Sequence, residues 1–339
     1  MNLFGNRHDI EKYTGSIRQA AGIKRYTLDE GTGRGVRAAE VWNGSGLSFS
    51  VLFDRGMDIG PASYKGMPFA FISPSGDFAN PAFYSPDGID WLRSFGGGLL
   101  TGCGLRNVGS PSLLNGETFG LHGRLSNIPA FNSSVREEWE GTRYILELSG
   151  AMRESMFFGE NMLLKRKIST ELGANYIQIE DSVENQSSSP DHLMLLYHIN
   201  IGYPMLCGDS SLNAVEHQVS PRDTVAEKGI ALWNKCQSPE KNYAEQCFYH
   251  DIPASGDGFS RISMLNPRVG LELEVAYRKA ELPFLTQWKQ MGHGSYVMGL
   301  EPANCHVSGV EKEFESRTLR TIQPGEIINF CVRISIREI

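Results

Sequence analysis

The 339-residue chain predicts an all-β protein whose sheets pack as a sandwich or close as a barrel. Two observations carry that expectation. Apolar residues recur at every second position in segment after segment, the period of a half-buried strand. No segment carries a long amphipathic helical period, and many short strands at regular spacing favour sheet-on-sheet packing over βαβ units.

Taken in order, Leu47, Phe49, Val51 and Phe53 alternate with Ser48, Ser50 and Leu52, and Asp54–Asp58 turns the chain. Residues 61–86, rich in Pro, Ser, Gly and aromatics, read as an ordered loop, and 88–95 as one or two helical turns. Residues 144–148, 163–169 and 176–183 read as successive strands, with Asn185–Pro190 as turn material. Leu193, Leu195, Tyr197, Ile199 and Ile201 then share one face of a strand, which puts His198 and Asn200 on the other. Residues 203–240 are irregular, with a strand expected near 212–219. Val269–Tyr277 is the cleanest alternation, with Glu272 and Glu274 outward, and Ile328–Ile336 repeats the pattern after the turn at Pro324-Gly325-Glu326. No fixed-period repeat or heptad run occurs.

Bulk charge narrows the partners. A formal net charge of −7 argues against nucleic acid and against a membrane surface, since both want a basic stripe. No apolar run approaches the roughly 18 residues of a spanning helix, and no basic N-terminus leads into one. The six cysteines (103, 207, 236, 247, 305 and 331) are scattered without a Cys-x-x-Cys, so they read as reduced, mostly packed thiols of a cytoplasmic protein. Neither the phosphate-loop pattern, nor the dinucleotide fingerprint, nor Gly-x-Ser-x-Gly is present. His250, His293 and His306 make no metal-ligand spacing with nearby carboxylates.

Residues 96–130 have neither helical nor strand period, yet they are not a linker. Nine glycines are mixed with Leu99, Leu100, Leu105 and Leu121 and with Arg106, Asn107 and His122. Such a mixture suggests a backbone that bends tightly and approaches something closely; the ordinary alternative is a surface loop.

The runs GLRNVG (104–109) and GETFGLHGRLSN (116–127) resemble the segment of aldose 1-epimerases (galactose mutarotases) that carries an Arg-Asn pair and then Leu-His-Gly. The match is closer to a bacterial branch of that superfamily sharing RGMDIG, GGLLTGCGLRNVG, LHGRLSN and GLEPANC, and it covers the chain from about Gly15 onward. The resemblance implies a large antiparallel two-sheet β-supersandwich in one domain over 1–339, with a sugar cleft on a concave sheet face.

It also implies site residues. His198, in LLYHINIGYP, matches the general acid, although the family's two residues between His and Asn are here the single Ile199. Glu301, in VMGLEPANC, matches the general base, with Pro302-Ala303-Asn304-Cys305 replacing the usual sequence after it. A glutamate in an apolar strand is costly to bury unless paired or used. Arg106 and His122 match residues that hold the sugar, and Glu245 lies where mutarotases place a substrate-binding aspartate. Arg55 and Asp58 in FDRGMDIG are expected to reach the cleft, the alternative being a turn salt bridge. Trp288 and Lys289 are expected to offer a platform and a positive contact, the alternative for the tryptophan being core.

The chemistry implied is cofactor-free interconversion of anomers. A base takes the proton of the anomeric hydroxyl while an acid protonates the ring oxygen, and the two are expected on opposite sides of the hemiacetal. No metal or nucleotide is called for, and the expected partner is a small-molecule carbohydrate. Two alternatives remain open: a sugar-binding protein without catalysis, and a lyase or hydrolase using the same cleft. The identity of the sugar and the oligomeric state, a homodimer included, are equally open.

Overall fold

The computed structural model describes residues 7–76 and 78–339. The alternating segments pair into two large antiparallel sheets. The larger runs, in spatial order, Gly22–Thr27, Arg37–Trp42, Leu47–Leu52, Asp58–Tyr64, Leu100–Leu105, Asp191–Ile201, Ser295–Ala303, Phe284–Gly292, Gln246–Asp251 and Gln218–Pro221, with Met67–Pro68 and Arg320–Ile322 attached alongside. The smaller runs Ser211–Ala214, Phe259–Asn266, Leu271–Arg278, Ile327–Glu338, Tyr176–Asn185, Asn161–Glu171, Arg143–Ser155 and Phe131–Glu140. Among the described residues helices are few and short, the longest being Arg7–Tyr13. The all-β two-sheet expectation holds.

Period-two patterning decides which face each strand buries. Leu193, Leu195, Tyr197, Ile199 and Ile201 enter one apolar cluster with Ile177, Ile179, Val332 and Ile334 of the smaller sheet. Each such side chain, once buried, contributes roughly 1.5–3 kcal/mol. The intervening residues of the same strand, Met194 and Leu196, join a second cluster on the opposite face of the larger sheet, with Cys103, Val297, Ala303, Trp91 and Phe95. The larger sheet is therefore covered on both faces around its centre.

An ionic tie crosses between the sheets. Arg166 is fully buried and grips Asp181 with two arms (Nε–Oδ1 3.0 Å, Nη2–Oδ2 2.7 Å) while donating to the Gly56 carbonyl at 3.0 Å. Tyr197 Oη of the larger sheet donates to the same Asp181 carboxylate at 2.8 Å. Burial of two charges is compensated here by this bidentate geometry and the extra hydrogen bonds.

Three local expectations are corrected. The stretch from 61 does not begin as loop, because Asp58–Tyr64 is a strand. The region expected to hold one strand near 212–219 holds two, Ser211–Ala214 in the smaller sheet and Gln218–Pro221 at the edge of the larger. The glycine-rich stretch contains the central strand Leu100–Leu105. What its glycines approach is neighbouring backbone: a Cβ on Gly104, at φ +130°, would run into the Met194 carbonyl oxygen, and one on Gly109 into that of Val307. A strand packed this closely needs no apolar alternation, which is why the pattern was illegible.

Candidate functional site

His198 and Glu301 meet because of strand register. Ile199 pairs with Leu300 and Asn200 with Gly299, and the same register sets His198 opposite Glu301. Both side chains project from the face of the larger sheet turned away from the smaller one. Nε2 of His198 lies 3.3 Å from Oε1 of Glu301, and the two residues are 4 % and 2 % exposed. They stand side by side rather than facing one another across a ring. The row continues on both sides: Thr101 pairs with His198, Thr286 with Glu301, and Tyr249 with Thr286.

Above the row is a cavity of about 700 Å³ lined by His198, Glu301, His122, Trp288, Thr286, Glu245, Arg222 and Cys247, walled by Trp91, Phe95, Leu121 and Val307. His122 reaches it from the loop that folds back over the Leu100–Leu105 strand, held by Gly104 N–H to the His122 carbonyl (3.0 Å) and Arg124 N–H to the Gly104 carbonyl (2.9 Å). Its backbone is left-handed, at φ +57°, a conformation that non-glycine residues adopt mostly where structure demands it. The imidazole rests on Trp91 at 4.7 Å and lies 5.6 Å from the His198 ring. Its Nδ1 accepts from Gly109 N–H at 3.3 Å, so the remaining ring proton sits on Nε2. Burial and the facing His198 hold His122 down to about 3, a neutral donor across the physiological range.

Electrostatics of the pair follow from burial. Desolvation pushes His198 down to about 4, with Asn200 opposing, and holds the Glu301 carboxyl well above the usual carboxylate range, with Glu245 adding and Arg222 opposing. His198 Nδ1, Glu301 Oε1 and Thr286 Oγ1 are buried and have no hydrogen-bond partner among the described residues. Buried polar atoms are rarely left so, and with Tyr249 Oη four of them turn up on adjacent strands of one row.

Glu245 lines the same cavity at its half-exposed edge, accepting from Trp288 Nε1 at 2.8 Å and pairing with Arg222 at 3.2 Å. Trp288 packs edge-on against His198 at 5.3 Å between ring centres.

Four expected residues are elsewhere. Arg106 does not line the cavity: its Nε donates to Asp191 at 3.1 Å, its Nη1 to Glu117, and Glu160 lies 3.6 Å away, while the guanidinium rests on Phe119. Arg55 is buried and donates to the Ala79 and Ser94 carbonyls and to Asn127, stapling loops. Asp58 accepts from Gly102 N–H at 2.7 Å and lies 3.7 Å from Arg166, between the sheets, where burial pushes it up to about 7. Lys289 follows Trp288 in one strand and so points to the other face, where Nζ donates to the Leu232 carbonyl at 3.0 Å. The two neighbours cannot serve one ligand.

Arg222, Thr286, Trp91 and Phe95 were missed. Alternation around Trp288 places Thr286 on the cavity face, a signal present in the sequence; Arg222 lies in a stretch without period. The departures after Glu301 are structural: Asn304 spans the Leu193 carbonyl and the Leu195 N–H at 2.9 and 2.7 Å, on the neighbouring strand. The cysteine at the cavity is Cys247, and all six are unpaired.

Residues 33–336 match the family described as a domain of unknown function, DUF4432. No curated protein matches the chain. Among solved structures, the fold is similar to a candidate aldose 1-epimerase from Klebsiella pneumoniae (24 % identity, 93 % of this chain and 83 % of that one, TM-score 0.87). It is also similar to a galactose mutarotase-like protein from Clostridium acetobutylicum (13 % identity, 95 % and 100 %, TM-score 0.66). A third similar structure is galactose 1-epimerase from Lactobacillus acidophilus NCFM (11 % identity, 94 % and 99 %, TM-score 0.58). At these identities the likeness shows the fold alone. The chain belongs to the DUF4432 family and carries the galactose mutarotase-like fold.

Proposed function

We propose that the protein is a cofactor-free carbohydrate epimerase of the mutarotase type, equilibrating the anomers of an aldose in the cavity above His198 and Glu301. The observation that carries this reading is the buried acid–base pair, 3.3 Å apart with unsatisfied polar atoms, at the base of a cavity roomy enough for a sugar. The setting is one domain in the cytoplasm, a compartment that the six unpaired cysteines fit.

The side-by-side arrangement suits the chemistry better than the opposed one. The anomeric O1 and the ring oxygen O5 are both bonded to C1, so the groups that serve them must be neighbours. Glu301 takes the proton from O1–H while His198 gives one to O5; the C1–O5 bond breaks and C1=O1 forms. Rotation about C1–C2 presents the other face of the aldehyde. Closure then returns the O5 proton to His198 and the Glu301 proton to O1.

One proton on the pair is what this cycle needs. Burial alone favours the neutral arrangement, with the proton on Glu301. The reactive arrangement is its tautomer, with the proton on His198, and it is favoured once sugar hydroxyls donate to the carboxylate. His122 Nε2–H and Glu245 supply further hydroxyl contacts, and Trp288 and Trp91 offer apolar surface to the sugar C–H groups.

The test is saturation-transfer NMR of α/β exchange over a panel of aldoses. Wild-type protein accelerates exchange for at least one sugar, and Glu301→Gln and His198→Asn abolish the acceleration. Calorimetric binding without exchange would select a sugar-binding protein instead, and net product formation a lyase or hydrolase.

A further inference from the structure

The acid–base pair leaves one polar atom at the base of the cavity without a task. Thr286 stands directly across from Glu301 in the next strand, lines the cavity, and is 1 % exposed, with Oγ1 lacking a hydrogen-bond partner among the described residues. A strand welcomes the β-branch of threonine, but valine has the same branch and buries no hydroxyl. A buried hydroxyl without a protein partner, in a residue lining the cavity, leaves a ligand oxygen to satisfy it.

We propose that Thr286 Oγ1 binds the hydroxyl on C2 of the sugar and selects aldoses that carry it over 2-deoxy sugars. This rests on the mutarotase reading. Across the sheet the order is His198, Glu301, Thr286, at successive strand spacings of about 4.8 Å. His198 serves O5 and Glu301 serves O1. C1 carries three heavy-atom neighbours: O5, O1 and C2. With O5 turned to the His198 side, C2 and its hydroxyl lie on the opposite side of C1, beyond Glu301, where Thr286 stands. Were the roles exchanged, with His198 at O1 and Glu301 at O5, the carbon nearest Thr286 would be C5 with its C6 substituent. The position that Thr286 reads therefore also reports which member of the pair serves which oxygen.

The experiment measures protein-accelerated anomer exchange for D-galactose and D-glucose, for their 2-deoxy analogues and for their 6-deoxy analogues. Wild-type, Thr286→Val and Thr286→Ser proteins are compared. Thr286→Val is expected to lower kcat/KM for the parent sugars about fivefold, the worth of one neutral hydrogen bond, mainly through KM and with an unchanged pH profile. The 2-deoxy sugars lose a similar factor on the wild type and nothing more on Thr286→Val, since the partner is already gone. The 6-deoxy sugars suffer the full Thr286→Val loss, and Thr286→Ser restores the parent rate.

A Thr286→Val loss that is undiminished for the 2-deoxy sugars overturns this inference alone, as does a loss that vanishes for the 6-deoxy sugars. A wild type that accelerates no sugar overturns the mutarotase reading, and this inference with it.

Discussion

Gly299 is the residue whose replacement tests the pair most sharply without touching either member. It lies two positions before Glu301 on the cavity face and pairs with Trp288. A Cβ on Gly299 would sit 2.3 Å from Glu301 Oε1 and 3.0 Å from Trp288 Cβ, where ordinary contact begins near 3.4 Å. The Trp288 Cβ is fixed to its backbone and yields little, so in Gly299→Ala the carboxylate moves by about 1 Å, a displacement that costs a reacting group roughly 100-fold in rate. Stability changes little. Gly299 is not among the left-handed glycines, and alanine in a strand interior is favoured over glycine by roughly 0.5–1 kcal/mol, which offsets part of the overlap. The expected outcome is a loss of about 100-fold in anomer exchange with a melting temperature within about 3 °C of wild type. NMR exchange and calorimetry on the same preparation read both. A folded Gly299→Ala protein that exchanges anomers at the wild-type rate would show that the position of Glu301 does not govern the reaction.

Four further outcomes follow from the same geometry. Exchange requires one proton on the pair, so kcat falls toward acid as His198, held to about 4, takes a second proton. It falls toward alkali as Glu301, held high by burial, gives up the last; a pH-independent kcat across both limbs would contradict the pair. Because the folded protein keeps Glu301 protonated where the unfolded chain releases the proton, that carboxyl costs stability increasingly as pH rises above about 4.5; calorimetry across that range should show Glu301→Gln gaining on wild type. Arg166→Met strands the buried Asp181 carboxylate and should cost about 3–5 kcal/mol in urea unfolding. Arg106→Met frees Glu160 and Asp191 of their cation, so it lowers stability while leaving the KM for the sugar unchanged.

The strands whose faces differ were legible in the sequence, and those whose faces are alike were not. Leu47–Leu52, Tyr176–Asn185 and Ile327–Glu338 alternate because one side of each packs between the sheets and the other is partly open to solvent. Leu100–Leu105 is buried at every position; Gly104 lies against the Met194 carbonyl and Gly102 against Leu125, Arg166 and Asp58, so period two is erased. The same holds for the pairing of Val219 with His250 at the sheet edge: a four-residue strand in an irregular stretch carries too few residues to show a period. Motif resemblance located Arg106 but could not say which way it pointed, and three carboxylates decide that.

The pair itself was legible as two residues and not as a contact. His198 and Glu301 are both on the cavity side of their strands by alternation alone, once Tyr197 and Leu300 are assigned to the core. What alternation cannot supply is that these two strands are neighbours, and in which register. Shifting Ser295–Ala303 by a single residue against Asp191–Ile201 would bury Glu301 among Tyr197, Ile199 and Leu195, where an unpaired carboxyl costs several kcal/mol. Met298 and Leu300 would leave that core together. The apolar face of the strand thus fixes the register, and the register brings the acid to the base. The side-chain contact on which the chemistry rests is, in energetic terms, a consequence of where Met298 and Leu300 must go.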